Sequence, residues 1–220
     1  MAPVSPLDEP FSNVLKARTL KAHEGAEGHP FHAMIFGAQG PTIARAAVTL
    51  SLGQHLCVME VFEPLLRKAG ESGGVLATVV QPYHFHLLAL RDDLAALDAT
   101  PEHVRALPAT KVFAERVAAC GSGIALLGVW YVYEGATNGG TIIGKHVKAV
   151  LGLEDDRGTR FINPHGPLVR PRWMAWKTAV DALTLSAGER EEVIAAASDT
   201  FVMTAGMLTE VHAGVKLPNG

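Results

Sequence analysis

The sequence predicts an all-α protein folded as one helical bundle. Two observations carry that reading: helix-length segments are separated by loops containing Gly or Pro, and nothing alternates with period two apart from the stretch Trp130 to Tyr133. Composition adds that the chain is globular and not disordered. In 220 residues, 48% are hydrophobic and 19% charged, an ordinary globular balance for a chain long enough to bury roughly 70% of its unfolded surface without disulfides or a structural metal.

The elements follow in order. Ser12 reads as the N-cap of a helix through Glu27, with Leu15, Thr19, Ala22, His23 and Ala26 on one stripe and Gly28 and Pro30 at its end. A second helix starts after Pro41-Thr42 and runs to about Lys68, with Pro64 as a kink or early stop, and Gly70 to Gly74 is a loop. Across Val75 to Leu97, Pro82 separates a short lead-in from a helix beginning near Tyr83. Thr100-Pro101 reads as N-cap and first helical position of a helix that Pro108 bends or delays.

A long segment from Ser122 to Leu151 comes next, then a Gly- and Pro-rich loop from Gly158 to Pro171. Helices at Arg172 to Leu183 and Ser186 to about His212 complete the chain, the last opened by a Ser186/Glu189 capping box. The expected organisation is a flexible tail over 1–11, the helical domain over 12–212 and a C-terminal tail over 213–220.

Composition excludes several function classes. A net charge of −3, with no basic run, argues against nucleic-acid binding. The longest apolar run, Ile124 to Tyr133, is half the roughly 20 residues a spanning helix needs, so no membrane partner is expected. MAPVSPLDEP lacks the features of a secretory signal, which points to the cytoplasm. Cys57 and Cys120 read as small buried hydrophobes in a reducing compartment. Segments that are amphipathic and not apolar all round fit a monomer.

Two constellations could carry chemistry. Lys16 and His23 are seven residues apart on the first helix, so both point the same way about 10 Å apart along the axis. Glu27, one turn beyond His23, could accept the Nδ1 proton and leave Nε2 free for a metal, a geometry suited to an axial haem ligand. Taken alone, spacing fits a core histidine with solvated charges at least as well. In the second constellation, Gly128, Gly135 and Gly139 fall within a stripe about 40° wide on one helix. A flat ligand could lie on such a face, and so could a neighbouring helix.

Other patterns weigh less. Gly139 to Lys145 spells G-x-x-x-x-G-K, but His146 replaces the Ser or Thr of a phosphate-binding loop and the βαβ context is missing. On a helix, His84 and His86 would point to different faces, which disfavours a metal site. His29 and His32 flank Pro30 at a helix end, where solvated or capping roles are the default.

Together the constellations resemble the haem oxygenases. The LKxxTxxxHxxxE pattern falls at Lys16, Thr19, His23 and Glu27, and the distal segment YxxEGATxGG begins at Tyr131, with the resemblance spanning residues 13 to about 212. It implies a bundle of the haem oxygenase type with His23 as proximal iron ligand and Glu27 orienting it. It also implies that Gly135, Gly139 and Gly140 lie on the distal helix and that Thr19 lies in the haem-binding segment. Lys16 would meet a propionate, as would Lys177 with Trp130 or Tyr131, and Phe201 would line the pocket.

Haem would then be both substrate and cofactor. Dioxygen, with electrons from a ferredoxin or a reductase, would convert it to biliverdin, carbon monoxide and ferrous iron. Ala136 departs from the animal members, which carry a proton-relaying carboxylate there. Bacterial relatives read EGST or EGAT, so waters held by the backbone, with Thr137, Asn138 or an Arg such as Arg116, would substitute. Ala136 also motivates an alternative, a haem-binding or haem-sensing protein without turnover. A third reading is a helical protein that uses the pocket for another ligand.

Overall fold

The computed structural model describes residues 9–215. Among them are eight α-helices and no strand: α1 (Phe11–Glu27), α2 (Phe31–Ile35), α3 (Pro41–Glu71), α4 (Leu87–Ala96), α5 (Pro108–Cys120), α6 (Leu126–Leu151), α7 (Val169–Asp181) and α8 (Ala187–Gly214). Short 3-10 turns fill the connections at Val75–Thr78, Pro82–His84, Pro101–His103 and Gly166–Leu168. The expected tails at 1–11 and 213–220 lie mostly outside the described residues, but Phe11 and Gly214 are helical.

The long helices α3, α6 and α8 form the frame, with α1, α5 and α7 packed on it. Their contact faces bury Leu56, Phe62, Leu66, Trp130, Val193 and Met207, among others, in one continuous core. Each large aliphatic or aromatic side chain buried this way contributes roughly 1.5–3 kcal/mol. Pro64 lies inside α3 without ending it, and α3 continues to Glu71.

Several helix starts are capped by side chains from elsewhere, which moves them from the expected positions. The α1 helix begins at Phe11, and Ser12 is not its cap: Asp181 of α7 accepts from Ser12 N at 2.7 Å and from its hydroxyl at 2.9 Å. Buried Glu63 of α3 accepts from the backbone N–H groups of His86 and Leu87, so α4 begins at Leu87 and not near Tyr83. Glu210 of α8 accepts from Ala109 N at 2.9 Å, and α5 starts at Pro108, with only a 3-10 turn at Pro101. Only α8 has the cap read from its own sequence, the Ser186/Glu189 box. The short α2 was not expected; at its start Phe31 N donates to His29 Nδ1 at 3.1 Å.

The segment between α6 and α7 is tied down at both ends. Asp93 on α4, wholly buried, accepts from Gly158 N at 2.8 Å and Phe161 N at 2.7 Å. Burial raises its pKa, and the backbone donors oppose the rise. At the far end His165 bonds Glu134 of α6.

Candidate functional site

The predicted residues of α1 occupy two environments. Thr19 is buried, its hydroxyl donating to Leu15 O at 2.8 Å, whereas Lys16, His23 and Glu27 are exposed. The His23 side chain is 50% accessible, which leaves its ring open to a ligand. Its Nδ1 lies 3.7 Å from a Glu27 oxygen, an ion-pair approach longer than a hydrogen bond. Phe201 of α8 meets the ring edge-to-face, with centroids 5.3 Å apart.

From Phe201 the aromatic contacts lead to α6 and α7. Tyr131 lies 6.4 Å from Phe201 and 6.0 Å from Trp173, centroid to centroid. Burial raises the Tyr131 hydroxyl pKa, and its side-chain interaction with Thr19 opposes the rise. Trp173 stacks on Trp176 at 5.2 Å, and Lys177 Nζ is 5.9 Å from the Trp173 ring centre. Between the two aromatics considered for α6, Tyr131 joins this group. Trp130 is 1% exposed and packs on His84 and Trp176, in the core.

The glycines of α6 divide into two kinds. A Cβ at Gly128 would lie 2.3 Å from Val193 O and 2.7 Å from Ala197 N, so that glycine lets α6 and α8 cross closely. Gly140 also meets main chain, with Ile162 O at 1.9 Å from its would-be Cβ, and Gly144 abuts Asn163. At Gly135 and Gly139 the nearest atoms are Trp173 Cη2 at 3.7 Å and Ile143 Cδ1 at 3.9 Å. The expected continuous glycine face is therefore two packing contacts flanking one stretch, Gly135 to Gly139, left open by other main chain, in which the Trp173 ring edge touches Gly135, Thr137 is buried, and Ala136, Asn138 and Gly139 are exposed. Gly140, expected beside the macrocycle, has its α-carbon directed at the Ile162 carbonyl.

Thr137 and Asn138 bend back on their own helix. The Thr137 hydroxyl donates to Glu134 O at 2.7 Å and Asn138 Nδ2 to Gly135 O at 2.9 Å, bonds of a kind that bend helices locally. Arg116 is bound to Asp199 at 2.8 Å and lines a cavity of about 230 Å³ between α5, α6 and α8. Apart from Arg116, none of the predicted site residues lines that cavity.

A buried histidine group was not anticipated. His84 lies in a 3-10 turn and His86 at the N-cap of α4, not on opposite faces of one helix as expected, and both turn inward. His84 packs on Trp130, and His86 lies 5.3 Å from His165 between ring centres. Burial lowers the pKa of each to about 3. One donor atom from each of His86, Glu134 and His165 falls within 4.8 Å of the others, as in a metal site. Arg172 argues against a metal: its Nη1 is 3.0 Å from His165 Nδ1 and can only donate, so the ring proton sits on Nε2, where a metal would bind. Glu134 stood within the quoted motif without a role, whereas His165 in its loop gives no sequence signal. Trp173 was also missed.

A helical bundle with an accessible histidine joined by aromatic contacts to an open glycine stretch defines the class. The chain belongs to the heme oxygenase family, whose sequence model matches residues 9–210. Among solved structures, heme oxygenase from Leptospira interrogans is similar at TM-score 0.81 and 22% identity, covering 92% of this chain and 100% of that one. Heme oxygenase-1 from the cyanobacterium Synechocystis, in complex with heme, gives TM-score 0.82 and 20% identity, with 94% of each chain covered. A TenA homologue from Pseudomonas syringae is also similar, at TM-score 0.67 and 15% identity, covering 97% of this chain and 99% of that one. At these identities the likeness is one of fold. No curated protein sequence matches. Among the described residues, no helix is long and apolar enough to cross a membrane.

Proposed function

We propose that this protein binds haem through His23 and cleaves it with dioxygen to biliverdin, carbon monoxide and ferrous iron. The observation that carries the reading is the contact path from the half-exposed His23 through Phe201, Tyr131 and Trp173 to Gly135, where the Trp173 ring edge meets α6 at van der Waals distance and no main chain from another element approaches. When bound, haem supplies both the iron that takes up dioxygen and the ring that is cut.

The protein's own groups bind and orient. His23 offers a ring nitrogen to the iron, Phe201 limits rotation of that ring, and Glu27 needs to close by roughly 0.5–1 Å to accept the Nδ1 proton. Lys16 on α1 and Lys177 on α7, two helices that pack together, supply positive charge for the propionates. Gly135 and Gly139 let the α6 backbone approach the ring plane, and Gly140 secures that stretch against the following loop. Water held by this backbone would carry the protons that Ala136 cannot. The electron donor is external, a ferredoxin or a reductase, and the protein works as a cytoplasmic monomer.

Hemin titration tests the ligand assignment. The wild type should bind one equivalent with a five- or six-coordinate histidine spectrum, and His23→Ala should lose it; an unchanged spectrum in the variant rejects His23. A second reading, haem binding without turnover, is favoured by Ala136 and by the commitment of the Thr137 and Asn138 donors to backbone carbonyls. It predicts that bound haem persists during aerobic reduction.

A further inference from the structure

Behind the open glycine stretch, three side chains from three segments form one chain of hydrogen bonds. Arg172 Nη1 of α7 donates to His165 Nδ1 at 3.0 Å, and His165 Nε2 donates to Glu134 Oε1 of α6 at 2.8 Å. The direction is set at the guanidinium, which has no lone pair to offer, so Nδ1 must accept and the single ring proton lies on Nε2. The imidazole is neutral in this arrangement, and the positive and negative ends balance. The His165 and Glu134 side chains are 0% and 2% accessible. Tyr83 lies under the Arg172 guanidinium at 4.4 Å, and His86 packs against the His165 ring.

The residues next to both ends of this chain face each other. Glu134 precedes Gly135 on α6, and Arg172 precedes Trp173 on α7. The Trp173 ring edge, Cη2, lies 3.7 Å from the point where a Gly135 side chain would begin. A bond fixing Glu134 relative to Arg172 therefore also fixes Gly135 relative to Trp173.

We propose that Glu134, His165 and Arg172 are positioning residues that set the gap between Gly135 and Trp173, and with it the height of the α6 backbone over a flat ligand. The ligand part of this inference rests on the proposed function; the chain itself does not. None of the three side chains needs to touch the ligand. Their effect passes through the backbone at Gly135 and the ring of Trp173.

Two measurements separate the parts. In ligand-free protein, ¹⁵N NMR of His165 should show the Nε2–H tautomer, with a slowly exchanging Hε2 proton, and Arg172→Met should release that preference. A proton on Nδ1 in the wild type would overturn the chain. In the hemin complex, Glu134→Leu should shift the ferric spin-state balance and the pH midpoint at which bound water becomes hydroxide, while Glu134→Gln, which keeps an acceptor for Nε2–H, should stay close to the wild type. A Glu134→Leu variant that melts cooperatively, with wild-type helix content and a wild-type hemin spectrum, would overturn the positioning role. Wild-type protein that binds no hemin would overturn the proposed function and the ligand role with it, while the tautomer would still decide whether the chain exists.

Discussion

The α-carbon of Gly140 is closed off by the carbonyl of Ile162, so that a methyl group there would lie 1.9 Å from the oxygen. Neither backbone can yield without moving the segment that Asp93 and Glu134 pin at its two ends. Gly140→Ala should therefore destabilise the fold by about 1–3 kcal/mol or more, as overpacking does, read as a lower urea midpoint with unchanged slope. Gly128→Ala, against Val193 O and Ala197 N, should behave in the same way.

Gly139 has no such neighbour, and there the prediction reverses. With only Ile143 Cδ1 at 3.9 Å, Gly139→Ala should raise ligand-free stability by roughly 0.5–1 kcal/mol through helix propensity. If the open stretch receives the ring, the same substitution should weaken hemin binding. A variant more stable yet unchanged in hemin affinity would remove Gly139 from the binding face.

Asp181 holds the first turn of α1 from another helix. Asp181→Ala should cost ~1–2 kcal/mol, in the range of a lost helix cap. A double-mutant cycle with Ser12→Ala, scored by chemical denaturation, should show coupling between the two; strict additivity would contradict the bond.

These trans caps also explain what the sequence could tell. The segments of α1, α3, α6, α7 and α8 were legible because apolar spacing and Gly or Pro boundaries are local properties. The starts of α1, α4 and α5 were not, since Asp181, Glu63 and Glu210 lie far from them in the chain. The site divides along the same line. His23 and the glycines announce themselves by spacing, but only the fold shows which glycines meet backbone and which stay open. His165 and Arg172 gain their meaning from Glu134, about 30 to 40 residues away in sequence.

Acid should unfold the protein steeply. Burial holds His84 and His86 at about 3 and His55, packed on Tyr133 and Phe161, at about 4. The unfolded chain takes up protons near 6.5 that the folded chain refuses, so stability is full above about 6.5 and is lost as the pH falls toward those values. Each histidine contributes a slope of up to ~1.4 kcal/mol per pH unit in that window. Glu63 and Asp93, raised by burial, act in the opposite sense nearer the carboxylate range. Urea midpoints measured between about pH 7 and 4.5 should fall throughout, and His55→Gln should flatten the fall. A midpoint independent of pH would contradict the buried neutral histidines.

Turnover can be followed in the absorbance of the hemin-reconstituted protein. In air, after addition of ascorbate or a ferredoxin reducing system, the Soret band should decay while a biliverdin spectrum grows in. A Soret band that forms and then persists under the same conditions would contradict turnover, and would leave His23 as a ligand in a protein that holds haem without cleaving it.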